Sequence, residues 1–203
     1  MNHPRKGTYA CMADRNRRAP CDRGTCGVGR GTRMDDLSAR RALLKASGLK
    51  RGRALDVGMG DCACMSFLLA AEGFDVVGID RSSHAVHAAR EQARGRKFKG
   101  SFLARRMDAE HLVFTAGEFD VVLAYRAIHH ADNVEKVLQE MWRVCRARGS
   151  ILVAELNDRG QREYRHEPDH GRLAAHIHNL LRRMGGSVRR METPRNTMFV
   201  CRR

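Results

Sequence analysis

The sequence lacks any apolar run approaching the roughly 20 residues that cross a bilayer. Its first residues, MNHPRKGTYACMADRNRR, also lack the apolar segment of a secretory signal peptide. Both absences argue against a membrane-spanning or secreted protein and predict a cytoplasmic location. The length of 203 residues suits one α/β domain with a core of its own and is short for two.

A tight Cys-x-x-Cys pair is also missing, although the chain contains seven cysteines. Cys11, Cys21 and Cys26 do not have the spacing of a common zinc site, so no metal centre is expected. The odd number of cysteines and the absent signal segment favour reduced thiols over a disulfide framework. Three other cysteines fall in segments with a buried pattern: Cys62, Cys145 and Cys201.

Acidic residues are scarce beside basic ones. The chain has 38 Lys and Arg against 23 Asp and Glu, which gives a formal net charge of +15 at pH 7. This surplus is compatible with RNA, DNA, an acidic protein or an anionic metabolite as a partner. The alternative is arginine spread over solvated faces without a specific partner, and the scattered distribution of the basic residues agrees with it.

Residues 1–33 differ from the rest because they combine basic side chains and glycine with no periodic apolar pattern. We expect them to form a flexible, basic N-terminal extension, and residues 34–203 to form the folded domain. Translation starting at Met34 is the alternative, since an amphipathic helix is predicted to begin there.

Helical and strand patterns alternate from Asp35 onward, as a βαβ sheet requires. Seven segments have strand character: RALDVG, FDVVGID, GSFLARRMD, EFDVVLAYRAI, SILVAEL, SVRRMET and NTMFVCRR. The last two follow each other without a helix, which predicts a hairpin. The expected fold class is therefore α/β, a Rossmann-like doubly wound sheet of seven strands that is mostly parallel and ends in an antiparallel C-terminal hairpin strand.

Two local expectations concern the segments after the fourth and fifth strands. Asp132 lies three residues before Glu135, the spacing of a capping box, and His129 and His130 are expected to begin the same helix. The segment NDRGQREYRHEPDH is expected to be a polar connection without a helix.

The stretch ALDVGMGDCA has the pattern of a buried strand that runs into a glycine-rich turn. Gly58 and Gly60 allow a sharp turn and a close approach of the backbone to a ligand, and the next helix directs its N–H groups toward that ligand. Gly58-x-Gly60-x-x-Ala63 also fits the relaxed dinucleotide fingerprint. Asp80 ends the second strand, where a carboxylate can accept both ribose hydroxyls of a dinucleotide or of another adenosine cofactor.

Two further segments, RRMDAEHL and EFDVVLAYRAIHHADN, complete a pattern that resembles the class I S-adenosylmethionine-dependent methyltransferases. The resemblance covers residues 35–203, and most specifically Leu55 to Glu155. In detail it is similar to the subfamily that methylates quinone precursors and other small molecules. It implies S-adenosyl-L-methionine as the cofactor and S-adenosyl-L-homocysteine as the product.

The resemblance also implies roles for the cofactor-binding residues. Asp56 helps to hold the methionine amino group, Asp80 binds the ribose, and Asp108 meets the N6 amino group of adenine. Arg81 lies along the adenine ring. The complete set, with the glycines of the loop and the residues that flank the adenine, is Asp56, Gly58, Gly60, Asp80, Arg81, Met107, Asp108 and Ala109.

The candidate catalytic residues lie at the carboxyl end of the fourth strand and just after it, at the edge where ligands bind in open α/β sheets. They are Tyr125, Arg126 and His130. One histidine of the pair His129 and His130 can act as a general base on the acceptor. At least one of the pair is expected instead to be packed and hydrogen-bonded, so that it holds the loop.

The segment after the fourth predicted strand has neither the Asn/Asp-Pro-Pro-Tyr pattern of methyltransferases that act on amino groups nor the Pro-Cys pattern of the cytosine-5 type. The expected function is methyl transfer by in-line displacement to a small-molecule acceptor. Two alternatives are an RNA or protein methyltransferase that uses the basic surface, and a non-catalytic S-adenosylmethionine-binding module. A dinucleotide-dependent oxidoreductase is a more distant alternative, and the oligomeric state is not predicted.

Overall fold

The computed structural model describes residues 33–164 and 170–203. The extension predicted for residues 1–33 therefore lies outside the described residues except for Arg33. The helices are α1 (Arg33–Ser47), α2 (Cys64–Glu72), α3 (Ser83–Ala93), α4 (Val134–Val144), α5 (Asp158–Tyr164) and α6 (His170–Arg183). The strands are β1 (Gly52–Val57), β2 (Phe74–Asp80), β3 (Ser101–Arg106), β4 (Phe119–Tyr125), β5 (Cys145–Leu156), β6 (Ser187–Glu192) and β7 (Asn196–Arg202). None of the helices in these two ranges is long and apolar enough to span a membrane.

The described strands form one sheet in the order β3-β2-β1-β4-β5-β7-β6. Neighbours among β1 to β5 are parallel, whereas β7 runs antiparallel to both β5 and β6. The predicted fold class, including the antiparallel C-terminal hairpin, is therefore confirmed. The strand order reverses between β1 and β4, and in open α/β sheets a ligand binds beside the carboxyl ends of the strands at such a point.

Helices cover both faces of the sheet, which explains why the central strands have continuous apolar sequences. On one face α1 and α2 pack against the sheet through residues that include Leu43, Leu69 and Leu123. On the other face α4 and α6 pack through residues that include Leu138 and Ile177. This packing fixes the carboxyl ends of β1, β2 and β4 relative to one another.

The helix after β4 begins later than predicted. Asn133 caps α4, because its side-chain oxygen accepts a backbone N–H of the first turn at 3.0 Å, so the cap predicted at Asp132 is wrong. The prediction that His129 and His130 begin this helix is also wrong, since both belong to a separate 3-10 turn, Ile128–His130. The backbone is extended between this turn and α4, which separates the two elements.

The segment after β5 contains a helix where a polar connection was expected. Asp158–Tyr164 forms α5, and the Asn157 side chain accepts the Gly160 N–H at 2.9 Å at its start. Gly160 is buried, and a Cβ there would lie 2.2 Å from the Arg195 carbonyl oxygen. Gly160 is therefore required by close packing in a helix, although a glycine among charged residues is typical of a loop.

Candidate functional site

The loop between β1 and α2 turns sharply at two glycines. Gly58 has φ +71° and Gly60 has φ +63°, values that L side chains rarely adopt. A Cβ on Gly58 would lie 2.5 Å from the Cβ of Ala127, whereas no described atom lies within 4 Å of a Cβ placed on Gly60. The Gly58 N–H donates to the Ile79 carbonyl at 2.9 Å. The loop is therefore fixed to the end of β2 and open at Gly60.

Asp80 joins the end of β2 to this loop. One carboxylate oxygen accepts the Gly60 N–H at 3.0 Å, and the other accepts the Ser82 N–H at 2.8 Å. The Asp80 carbonyl accepts the Met107 N–H at 3.0 Å, which ties the end of β2 to the segment after β3. The structure thus brings together Gly58, Gly60, Asp80 and Met107 at the carboxyl edge of β1, β2 and β3.

The residues predicted to surround the adenine differ in exposure. Met107 and Ala109 are partly buried and pack against the core. Asp108 is exposed, and its carboxylate accepts the Glu110 N–H at 2.9 Å. Arg81 is exposed at the end of β2, with its guanidinium 3.5 Å from the Asp132 carboxylate. The adenine-binding roles of these residues stay predictions.

Asp56 lies beneath the glycine loop and is almost fully buried. Its carboxylate accepts the Ser66 hydroxyl at 2.6 Å. Burial raises the pKa of the Asp56 carboxyl from 3.8 to about 6, although the bond from Ser66 and the charge of Arg40 oppose the rise. The predicted contact with a methionine amino group stays a prediction, since the bond that the structure shows is to Ser66.

Tyr125 and Arg126 meet a second polar cluster around Asp36 of α1. The Tyr125 hydroxyl donates to Asp36 at 2.9 Å, and the guanidinium groups of Arg126 and Arg40 each lie 2.8 Å from the same carboxylate. Arg126 also donates from Nε to the Asn196 side-chain oxygen at 2.7 Å, and it has φ +55°. Burial raises the pKa of the Tyr125 hydroxyl far above its usual range, so the hydroxyl remains protonated at neutral pH.

The two adjacent histidines have different surroundings. His129 Nδ1 lies 2.6 Å from a carboxylate oxygen of Glu155, and the other oxygen of Glu155 accepts the Ile128 N–H at 2.9 Å. Glu155 is fully buried, whereas His130 is exposed and its ring centroid lies 3.9 Å from that of His129. His129 is therefore the packed and hydrogen-bonded histidine that the sequence analysis expected of at least one of the pair.

Comparisons with known proteins relate this part of the chain to methyltransferases. Residues 55–153, which carry the glycine loop, Asp80 and both histidines, match the family described as "Methyltransferase domain". Phosphatidylethanolamine N-methyltransferase of Cereibacter sphaeroides is 33% identical over 116 residues, which are 57% of this chain and 56% of that protein. The ubiquinone/menaquinone biosynthesis C-methyltransferase UbiE of Haemophilus ducreyi is 28% identical over 121 residues, 58% of this chain and 47% of that protein. The resemblance to the class I S-adenosylmethionine-dependent methyltransferases is thus confirmed over residues 55–153.

The crystal structure of a SAM dependent methyltransferase from Aquifex aeolicus has a similar fold, with a TM-score of 0.65 at 19% identity over 83% of this chain and 94% of that chain. The chain spans about half the length of the two curated relatives. The fold of this chain is also similar to that of the PH0226 protein from Pyrococcus horikoshii OT3, which is known from a crystal structure. The TM-score is 0.69 at 23% identity, over 86% of this chain and 92% of that chain. Within residues 33–164 and 170–203, no group of three or more His, Cys, Asp or Glu side chains could hold a metal ion.

Several residues at this edge of the methyltransferase fold escaped the sequence analysis. Asp36 and Arg40 form an i,i+4 ion pair on α1, which is the one local signal that could have drawn attention to them. Glu155 and Asn196 gave no such signal, because each acts on a residue of another element, 26 and 70 positions away.

The raised pKa of Asp56 predicts how stability depends on pH. The folded chain keeps this carboxyl protonated up to about pH 6, whereas an unfolded chain ionises it near 3.8. The folded state therefore binds the extra proton between these values, and its stability falls as the pH rises through them. Asp56→Asn, which resembles the protonated form, should match the parent near pH 4 and exceed it at pH 7.5 by on the order of 3 kcal/mol.

Urea unfolding without cofactor at both pH values measures this difference. The variant and the parent share all their other carboxylates. The contributions of these groups therefore cancel when the free energy of unfolding of the parent is subtracted from that of the variant. A difference that is the same at pH 4 and pH 7.5 would show that the Asp56 carboxyl titrates normally.

The two histidines should respond differently to truncation. His129→Ala removes the bond to the buried Glu155 carboxylate and should lower the free energy of unfolding by about 2 kcal/mol. His130→Ala, at an exposed position, should change it by no more than about 0.5 kcal/mol. Urea unfolding of the two variants is the measurement, and an equal loss in both would contradict the assignment of His129 as the packed histidine.

Proposed function

We propose that the chain binds S-adenosyl-L-methionine at the carboxyl edge of β1, β2 and β3 and transfers its methyl group to a small-molecule acceptor. The observation that carries the proposal is the hydrogen bond between the Gly60 N–H and the Asp80 carboxylate. This bond holds the Asp80 carboxylate, which can accept ribose hydroxyls, against the glycine loop. The loop leaves space for a ligand at Gly60. These residues fit the cofactor of the family.

The remaining cofactor contacts follow from the positions around this loop. Met107 and Ala109 offer partly buried apolar surface for the adenine, and Asp108 offers a carboxylate for its amino group. Arg40 is suited to the methionine carboxylate: its side chain is 12% exposed, and it interacts electrostatically with Asp56. Its Nε is buried and has no hydrogen-bond partner among the described residues.

Methyl transfer requires little covalent chemistry from the protein. The cofactor, when bound, supplies a methyl group that is already activated on a sulfonium. The residues of the chain have to hold the acceptor close to this group and in line with it, and such alignment can lower a barrier by about 7–11 kcal/mol. A general base is needed only when the acceptor must lose a proton.

The acceptor side is built from Tyr125, Arg126 and His130. Tyr125 stays protonated and donates to Asp36, so it shapes the site and does not act as a base. Arg126 is held by Asp36 and Asn196 and serves to position the acceptor. His130 is exposed beside the same strand end and is the candidate base for an acceptor that loses a proton.

A small-molecule acceptor is supported by the names of the two curated relatives, which refer to phosphatidylethanolamine and to quinone biosynthesis. The test is a transfer assay with methyl-labelled cofactor and four acceptors: phosphatidylethanolamine vesicles, a demethylated polyprenyl hydroquinone, total RNA and histone protein. We expect label in one of the two organic-soluble acceptors. Label only in RNA or protein would overturn the acceptor class, and cofactor binding without transfer to any of the four acceptors would favour a non-catalytic module.

A further inference from the structure

A groove follows the edge of the sheet at β3. Among the described residues, β3 pairs only with β2, so its other edge has no partner strand. The Arg90 side chain donates two hydrogen bonds to the Ala104 carbonyl of this strand, at 3.2 and 2.8 Å. The groove has a volume of about 370 Å³ and is lined by residues of α3, its C-terminal cap and β3: Arg90, Ala93, Arg94, Phe102, Leu103 and Ala104. Leu103 is 46% exposed, and within the described ranges only Val113 is a more exposed large apolar side chain. An apolar strip on an open sheet edge is a common place for a partner to bind.

The rim of this groove is strongly basic. Arg90 and Arg94 line it. Four more exposed basic side chains lie on β3 or in the segment just before it: Lys97, Lys99, Arg105 and Arg106. The acidic residues nearby are already engaged, since Glu91 pairs with Arg94 at 3.0 Å and Asp75 accepts the Ser101 hydroxyl at 2.8 Å. The local field therefore attracts an anionic partner.

We propose that this groove binds an extended, acidic segment of a partner protein. An apolar side chain of the segment lies on Leu103, and its carboxylates pair with Arg105 and, in place of the partly exposed Glu91, with Arg94. Leu103 and Arg105 are two positions apart on β3 and face the same side of the sheet, so an extended segment meets them with an apolar and an acidic side chain that are also two positions apart.

Three other occupants fit the groove less well. Single-stranded nucleic acid binds through exposed aromatic platforms, whereas Phe102 is half-buried and packs edge-on against Phe67 at 5.0 Å. A second copy of this chain would bring Arg105 and Arg106 against an equally basic strand. Residues 1–33 carry the same sign of charge and would be repelled as well.

The test uses the full chain and a fluorescein-labelled peptide of sequence EDVEVDEV, with binding measured by fluorescence anisotropy at physiological ionic strength. We expect binding that Leu103→Asp and Arg105→Glu each weaken about tenfold. The matched control is Arg182→Glu on α6, an equal charge reversal at an exposed position of another element, which should change the affinity no more than about twofold. Retained binding of S-adenosylhomocysteine shows that each variant is folded.

Hydrogen exchange supplies the second readout. The peptide should slow exchange of the backbone amides of Ser101–Arg106. An equal loss of affinity in Arg182→Glu would show that only the net charge of the chain attracts the peptide and would overturn the proposal. Absence of peptide binding would overturn it too. So would displacement of the peptide by a short oligouridine RNA, if Arg105→Glu also weakens the binding of that RNA.

Discussion

Asp80→Ala should weaken the binding of S-adenosylhomocysteine about 100-fold. The substitution removes a carboxylate that can accept two ribose hydroxyls, and hydrogen bonds to charged groups contribute about 1.5–3 kcal/mol each. It also removes the acceptor of the Gly60 and Ser82 N–H groups, so the loop loses its tie to the end of β2. Isothermal calorimetry on the purified chain measures the change in affinity.

Asp75→Ala is the matched control for this experiment. Asp75 lies on the same strand at its opposite end, where its carboxylate accepts an exposed Ser101 hydroxyl and, within residues 33–164 and 170–203, no other side-chain hydrogen bond. The control should bind S-adenosylhomocysteine like the parent. A change of less than about threefold in the affinity of Asp80→Ala would be smaller than the loss expected from one such hydrogen bond. That result would show that Asp80 does not belong to the cofactor site.

Gly58→Ala should destabilise the fold by about 3 kcal/mol. A non-glycine residue in the left-handed region costs about 1–2 kcal/mol, and overpacking a core contact costs about 1–3 kcal/mol more. The contact is with Ala127, whose Cβ lies 2.5 Å from the position of the added Cβ. In a domain of this size the loss corresponds to a fall in melting temperature of about 6–12 °C.

Gly60→Ala separates folding from binding. Its backbone strain is similar, but no described atom lies within 4 Å of the added Cβ. We therefore expect a smaller loss of stability, about 1–2 kcal/mol, together with weaker binding of S-adenosylhomocysteine because the methyl group occupies space left for the ligand. Thermal unfolding followed by circular dichroism measures both variants. Equal melting temperatures for the two would contradict the close packing of Gly58 against Ala127.

The sheet could be predicted from the sequence because each strand has a local sequence pattern. Short apolar runs such as FDVVGID and FDVVLAY bury their side chains between two helical layers, and this environment admits few other residue types. The glycine loop and Asp80 were predictable for a similar reason. Their spacing fixes a turn and a strand end, and the structure joins them by one hydrogen bond.

The polar cluster around Asp36 was less predictable because its contacts join distant parts of the chain. Tyr125 meets Asp36, 89 residues earlier, and Arg126 meets Asn196, 70 residues later. Neither pairing has a sequence signature. The cap of α4 was misplaced by one residue for a different reason: Asp132 and Asn133 both suit a cap, and only the backbone geometry decides between them.

Calorimetric titration of the full chain with S-adenosylhomocysteine, S-adenosylmethionine and NAD tests the central assignment most directly. The geometry of the glycine loop and Asp80 alone would suit a dinucleotide as well, so the comparison decides between two cofactors that share an adenosine. Micromolar binding of both sulfur nucleosides at one site per chain, with no heat from NAD, is the predicted result. Binding of NAD without either sulfur nucleoside, or of none of the three, would contradict the account.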